Sequence, residues 1–231
     1  MEIQPIAYFE SPFTTKFGIP RQSGLVPTLT GRIVFTPAYR QMDAVRGMEE
    51  FDYLWLVWEF SANRDAQKSL TVRPPRLGGN QRMGVFATRS PFRPNNLGLS
   101  CVRLDHVEQD AKYGPVIYVR GADLMDGTPI YDIKPYVAYA DAHPEARSGF
   151  VDKTEWQPLT VELPDALATK VPQDQIPSLI ATLEQDPRPR YHDDPDRIYG
   201  MPFLGFDIRF KVADRVLTVV NILLASSHIV T

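Results

Sequence analysis

A chain of 231 residues with 43% apolar side chains is long enough to bury one large core or two modest ones, and its formal net charge of −3 makes it mildly acidic. Its single cysteine, Cys101, excludes an intramolecular disulfide and fits a reducing cytoplasm. The greasiest run, Val216 to Ala225, is interrupted by Thr218 and Asn221 and is too short to span a bilayer, and Glu2 stands where an export signal would be basic, so a soluble cytoplasmic protein is expected.

Taken in order, Ile3 to Phe9 reads as a short strand ending at Ser11-Pro12. Lys16 to Leu25, punctuated by Gly18, Pro20 and Gly24, reads as a surface loop of functional type. Arg32 to Phe35 is a second strand, and Asp43 to Glu50 carries a brief helical turn. Tyr53 to Phe60 (YLWLVWEF) is apolar at both alternating sets of positions except Glu59, which predicts a strand buried on both sides. Leu99 to His106 and Val116 to Arg120, joined through Tyr113-Gly114-Pro115, have the form of a hairpin. Asp126-Gly127-Thr128-Pro129 is a turn in which Asp can bond forward to the backbone and Gly can take a positive φ; by itself it reads as an ordinary hairpin turn leading into IYDIKPY. Short strands at regular spacing without βαβ units predict a mostly β fold, an antiparallel barrel or sandwich.

A boundary near Gly149 would divide residues 1–149 from residues 150–231. In the second part Ile176, Leu179, Ile180 and Leu183 fall on one helical stripe that stops before Asp186-Pro187. Phe206 to Val212 and Val216 to Ile222 form a hairpin about Ala213-Asp214-Arg215, giving a small α+β domain.

The most unusual stretch is Thr71 to Ser100. No acidic residue lies between Asp65 and Asp105, while Lys68, Arg73, Arg76, Arg82, Arg89, Arg93 and Arg103 bring seven positive charges, so the remainder of the chain carries −10. Crowded like charges favour an anionic partner, and arginine's planar fork suits phosphate while its face stacks on bases. Pro74-Pro75, Pro91 and Pro94 stiffen the segment, and Gly78-Gly79, Gly84 and Gly98 allow turns or close approach of a ligand. The competing explanation is a solvated basic face balanced by acidic surroundings.

Familiar catalytic signatures are missing. The chain has no G-x-G-x-x-G after a strand, no P-loop and no G-x-S-x-G elbow. Its four histidines, 106, 143, 192 and 228, are scattered without ligand spacing, so no metal is expected. Cys101, within a strand, reads as a small apolar residue more than a nucleophile.

Five blocks, PRQSG (20–24), VRPPRLGGN (72–80), MGVFATRSPFRPN (83–95), DLMDGTPIYDIKPY (123–136) and QDPRPRY (185–191), spread over nearly the whole chain, resemble the TsaA/TrmO-like family of S-adenosylmethionine-dependent tRNA N6-adenosine methyltransferases. The resemblance implies a compact antiparallel β-barrel N-terminal domain, a small C-terminal domain and a homodimer acting on threonylcarbamoyladenosine 37 in the tRNA anticodon stem-loop. It places S-adenosylmethionine against Pro20, Arg21, Gln22, Ser61, Arg89, Leu99, Asp126, Gly127, Thr128 and Pro129. Asn95 would receive the target amine, and Arg73, Arg76, Arg82, Arg93, Arg188, Arg190 and Tyr191 would contact the RNA. Two departures are visible: Asn96-Leu97 follows Asn95 where the family usually reads Pro-Ile, and Ser61-Ala62 replaces a frequent His-Gln. They motivate an alternative, a non-catalytic RNA-binding module with a vestigial donor pocket.

Overall fold

The computed structural model describes residues 2–64, 69–79, 81–188 and 194–225. Twelve strands follow one another as β1 (Ala7–Glu10), β2 (Thr30–Phe35), β3 (Tyr53–Glu59), β4 (Thr71–Val72), β5 (Met83–Gly84), β6 (Leu97–Asp110), β7 (Gly114–Arg120), β8 (Thr128–Pro135), β9 (Thr160–Glu162), β10 (Tyr199–Phe203), β11 (Phe206–Ala213) and β12 (Val216–Leu224). Among the described residues the α-helices are α1 (Ala138–Asp141), α2 (Asp165–Ala168) and α3 (Ile176–Glu184), all after the barrel strands. The expected mostly β architecture is present: β1-β2-β7-β6-β3-β8 close into a barrel whose pairings are all antiparallel. Closure removes the exposed strand edges that an open sheet would leave.

The barrel is filled by inward side chains, among them Phe9, Ile33, Leu54, Leu56, Ile117 and Ile130. Strand β3 corrects the expectation of burial on both sides. Leu54, Leu56 and Trp58 point in, while Tyr53 is 43% exposed and Trp55 and Val57 are half-buried on the outside. The outer residues are apolar because the segment around α1 leans on them. The Tyr136 ring lies 6.0 Å from Tyr53 and 6.1 Å from Trp55, and Trp55 Nε1 donates to Asp141 Oδ2 at 3.0 Å.

Strands β6 and β7 form the expected hairpin, its turn closed by the Asp110 carboxylate accepting the N–H groups of Lys112 (2.7 Å) and Tyr113 (2.8 Å). The turn before β8 is not a hairpin turn. β7 pairs with β2 and β6, β8 with β1 and β3, so residues 121–127 cross the barrel mouth between non-neighbouring strands. Gly127 takes the positive φ of 72°, but Asp126 bonds away from its own turn, accepting the Ser11 N–H at 3.0 Å.

The second core lies against a sheet ordered β10-β11-β12-β9, in which β9 and β12 run parallel. Strand β10 escapes the sequence pattern because Gly200 and Pro202 interrupt it; an edge strand tolerates the proline. The helical stripe is present but rotated. Leu179 and Leu183 are fully buried beside Ser178 and Thr182, whose hydroxyls are satisfied by the Thr28 and Ser178 carbonyls. The same core takes in Phe13, Val26 and Leu29 from the segment between β1 and β2. Phe13 meets Phe203 edge-on at 5.8 Å, and at Gly18 (φ 92°) a Cβ would sit 2.5 Å from Met201 Sδ. The loop expected to carry donor contacts is therefore seated on the C-terminal half of the chain.

Candidate donor pocket and nucleic-acid interface

One end of the barrel collects the candidate residues. Strands β1 and β3 end there and β6 and β8 begin, as the pairs Phe9–Thr128, Glu59–Leu97 and Trp58–Ile130 fix. Residues 11–29, 60–96 and 121–127 connect strands around this mouth. Arg89, exposed, donates from Nη1 to Gln22 Oε1 at 2.5 Å, joining the arginine-rich segment to the Pro20–Gly24 loop. Arg21 donates instead to the Asp186 carbonyl at 3.2 Å, toward the C-terminal half. Ser61 begins the turn after β3, and Lys16 Nζ reaches the Ala62 carbonyl at 3.2 Å. Asp126 and Gly127 are exposed, whereas Thr128 and Pro129 are buried, the Thr128 hydroxyl donating to the Met125 carbonyl at 2.7 Å. Leu99 is 57% exposed with its side chain on the outer wall, leaving its main chain as the part facing β3.

Below the mouth lies a polar chain that the sequence did not announce. Trp58 Nε1 donates to Ser100 Oγ at 2.9 Å, and the Ser100 hydroxyl donates to Asp123 Oδ1 at 2.5 Å. Burial pushes the Asp123 carboxyl above the usual carboxylate range, opposed by the Ser100 hydroxyl, by the N–H groups of Asp123 and Ser23, and by the Arg89 charge. The signals available in advance were a lone serine at an inward-facing position of β6 and an aspartate three residues before Asp126.

At the end of β3, Glu59 accepts a two-pronged bond from Arg64, at 2.6 and 2.7 Å, and a 2.6 Å bond from the Tyr131 hydroxyl. The Arg64 bonds hold the Glu59 carboxyl below its ordinary range, and burial with the Glu59 bond pushes the Tyr131 phenol up to about 12. A phenol raised in the folded state contributes stability fully present below its unfolded value of about 10, lost as pH rises toward 12. Following tyrosinate absorbance should reveal one late-titrating tyrosine that Glu59→Gln returns toward the others; uniform titration would contradict the bond.

The arginine-rich segment is a small structure of its own. β4 and β5 pair, a tight turn spans Pro75–Leu77, and Val85 is buried with its N–H on the Leu70 carbonyl at 2.9 Å. Arg73 is exposed, Arg76 half-buried, and Arg82 exposed with Nη1 on Thr71 Oγ1 at 2.9 Å. Arg93 folds inward onto the Thr88 and Ser90 carbonyls at 3.0 and 3.3 Å. Leu70 (78%), Phe86 (75%) and Phe92 (41%) are exposed on the same segment, and the two phenylalanine rings are faces of the kind on which bases can stack. Arg103 leaves the group: it lies on β6 in a groove with Glu49, Asp52 and Asp105. Lys68 lies outside the described residues.

Asn95 is exposed on the turn Arg93–Asn96. Asn96 has φ 52°, a value that proline's ring forbids, and its N–H bonds the Arg93 carbonyl at 3.3 Å while its carbonyl accepts the Phe60 N–H at 2.8 Å. The Asn-for-Pro departure thus comes with its own backbone path, one that asparagine tolerates.

A cleft of about 310 Å³ opens between the 16–21 loop and the end of α3, lined by Lys16, Phe17, Arg21, Pro75, Asp186 and Arg188 among others. Arg188 is mostly buried there in a two-pronged pair with Asp186 (2.8 and 3.0 Å). Of the candidate donor contacts only Arg21 borders the cleft; Arg190 and Tyr191 lie outside the described residues. Cys101 is half-buried against Trp55, and burial raises its thiol above the ordinary value, away from the reactive thiolate. Among the described residues no helix is long and apolar enough to cross a membrane.

Comparison with known proteins gives this geometry a context. Residues 8–142 match the model of the tRNA-methyltransferase O N-terminal domain, and residues 156–225 match that of the TrmO C-terminal domain. The chain belongs to the TrmO family. It is 39% identical to a putative S-adenosylmethionine-dependent methyltransferase RcsF of Pseudomonas aeruginosa over 215 residues, 90% of this chain and 91% of that protein. It is 38% identical to the tRNA (adenine(37)-N6)-methyltransferase of Escherichia coli over 223 residues, 92% of this chain and 94% of that protein. A crystal structure of TrmO from Pseudomonas aeruginosa superposes with a TM-score of 0.78 at 33% identity, covering 96% of this chain and 97% of its own. The TrmO barrel and its appended domain are thus both represented here.

Proposed function

We propose that this TrmO-family chain transfers a methyl group from S-adenosylmethionine to N6 of adenosine 37 in tRNA, with the threonylcarbamoyl derivative of that base as substrate. The observation that carries the proposal is the match of both family domains along almost the whole chain, with relatives named for this activity at 38% identity. The mouth residues suit the donor chemically. Arg89 offers a guanidinium fork to a carboxylate, and Asp126 with the main chain at 126–129 and at Leu99 offers polar partners to a ribose and an adenine. When bound, the donor supplies an electrophilic methyl carbon on a sulfonium. What the chain must add is orientation, since holding a nucleophile in line removes several kcal/mol of barrier. Asn95, on the exposed turn beside the mouth, would hold the N6 hydrogen of the base.

Adenosine 37 lies in a single-stranded loop, so stacking and edge contacts can read it without opening a duplex. Arg73, Arg76, Arg82 and Arg93, with Phe86 and Phe92, form the proposed surface for the anticodon stem-loop, with Arg188, Arg190 and Tyr191 as further proposed contacts. Residues 1–149 and 150–231 are proposed as the two domains; each half has a core, the second also taking in Phe13, Val26 and Leu29 from the first. A cytoplasmic homodimer completes the proposal.

Labelled methyl transfer to total tRNA from a strain lacking this gene, followed by nucleoside mass analysis, should place the label on N6-methylated threonylcarbamoyladenosine. The alternative, an RNA-binding module without catalysis, draws on the altered backbone at Asn96. It predicts tRNA binding with no heat on titration of S-adenosylmethionine.

A further inference from the structure

Residues 121–123 and 22–24 run side by side across the mouth. Gly24 N–H bonds the Gly121 carbonyl at 2.8 Å, and Gly121 N–H bonds the Leu29 carbonyl at 2.8 Å. The approach is close enough that a Cβ on Gly121 (φ 71°) would lie 3.4 Å from the Gly24 main chain. From this pair of segments Asp123 drops its carboxylate onto Ser100 of the barrel wall. Ser100 has no freedom to turn, because its oxygen accepts the Trp58 indole N–H while its proton goes to Asp123. Trp58 is fixed in turn: a Cβ at Gly98 would come within 2.4 Å of its ring, and Phe60 packs edge-on at 4.4 Å. On the solvent side, Gln22 takes the Arg89 guanidinium at 2.5 Å.

We infer that Asp123 is a positioning residue of the donor site, anchoring the 22–24 segment and its Gln22–Arg89 pair to the rigid barrel wall through Ser100. The inference rests on the methyltransferase proposal above and assigns Asp123 a role through Arg89 and Gln22. The carboxylate's other polar neighbours are the Ser23 and Asp123 amides, so it also holds the main chain next to Gln22. Asparagine at 123 keeps one acceptor oxygen for Ser100 but puts an amide nitrogen, which cannot accept, where the second oxygen stands.

The test uses the full chain and S-adenosylhomocysteine as calorimetric probe. Asp123→Asn should weaken donor binding about tenfold, as expected for loss of a charge-assisted partner, and raise donor KM while kcat at saturating donor stays within about twofold. tRNA affinity and the unfolding midpoint should hold. In an Arg89→Ala background the same substitution should cost nothing more, since both act through one unit. Wild-type affinity in Asp123→Asn, or losses that multiply in the double variant, would overturn the inference. Should Asp123→Asn fail to fold, Ser100→Ala removes one hydroxyl and should weaken the donor about threefold, with unchanged affinity again overturning it. Absence of donor binding by the unsubstituted chain would instead sink the methyltransferase proposal, and this inference with it.

Discussion

Arg89→Ala is expected to weaken S-adenosylmethionine binding by roughly tenfold to a hundredfold without lowering the unfolding midpoint. The side chain is exposed and belongs to neither core, so its loss leaves no cavity. What disappears is the guanidinium held over the mouth by Gln22. Charge-assisted hydrogen bonds are worth about 1.5–3 kcal/mol each, which sets the size of the expected loss. Arg89→Lys should restore the charge but little of the affinity, because an ammonium cannot grip a carboxylate through two parallel bonds. Calorimetric titration of both variants decides the matter; donor affinity equal to wild type in Arg89→Ala would remove this side chain from the pocket.

The second large effect is in salt. If Arg73, Arg76, Arg82 and Arg93 neutralise phosphates of the anticodon stem, each contact releases counterions, and tRNA affinity should fall roughly a hundredfold between about 50 and 200 mM monovalent salt. Removing Arg73 or Arg82, which face solvent, should each reduce the logarithmic slope by about one. Arg93 differs, because its guanidinium also holds the Thr88 and Ser90 carbonyls; its loss should loosen the 88–96 turn as well as weaken RNA. A flat salt response, measured by filter binding or anisotropy, would take the arginine-rich segment out of the interface.

The structure also changes what that segment is. The window between Asp65 and Asp105 holds seven cations, but β6 carries Arg103 along the barrel wall into a groove with three carboxylates. Proximity in sequence stops implying proximity in space once a strand of 14 residues begins, since each residue advances about 3.3 Å. Phe86 and Phe92 are hidden in the sequence for a related reason: an aromatic in a proline-rich run has the pattern of core, and only the fold exposes it.

Most of the barrel strands, the β6–β7 hairpin, the α3 stripe and the family blocks were legible in the residues, because each depends on local periodicity, turn chemistry or identity along the chain. Alternation alone could not tell that the outer face of β3 is apolar for the sake of Tyr136 and α1, nor that the Asp126 turn crosses the mouth between strands that never pair. Nor could it seat Phe13 and Gly18 on Phe203 and Met201, across nearly the full length of the chain. The sequence by itself determined a mostly β chain of the TrmO kind with one cationic, proline-stiffened segment. Only the tertiary structure decided which of those cations stay together and that Ser100 and Asp123 meet beneath Arg89, because barrel closure, unlike helix or hairpin formation, is a choice among partners distant in the chain and is settled by packing.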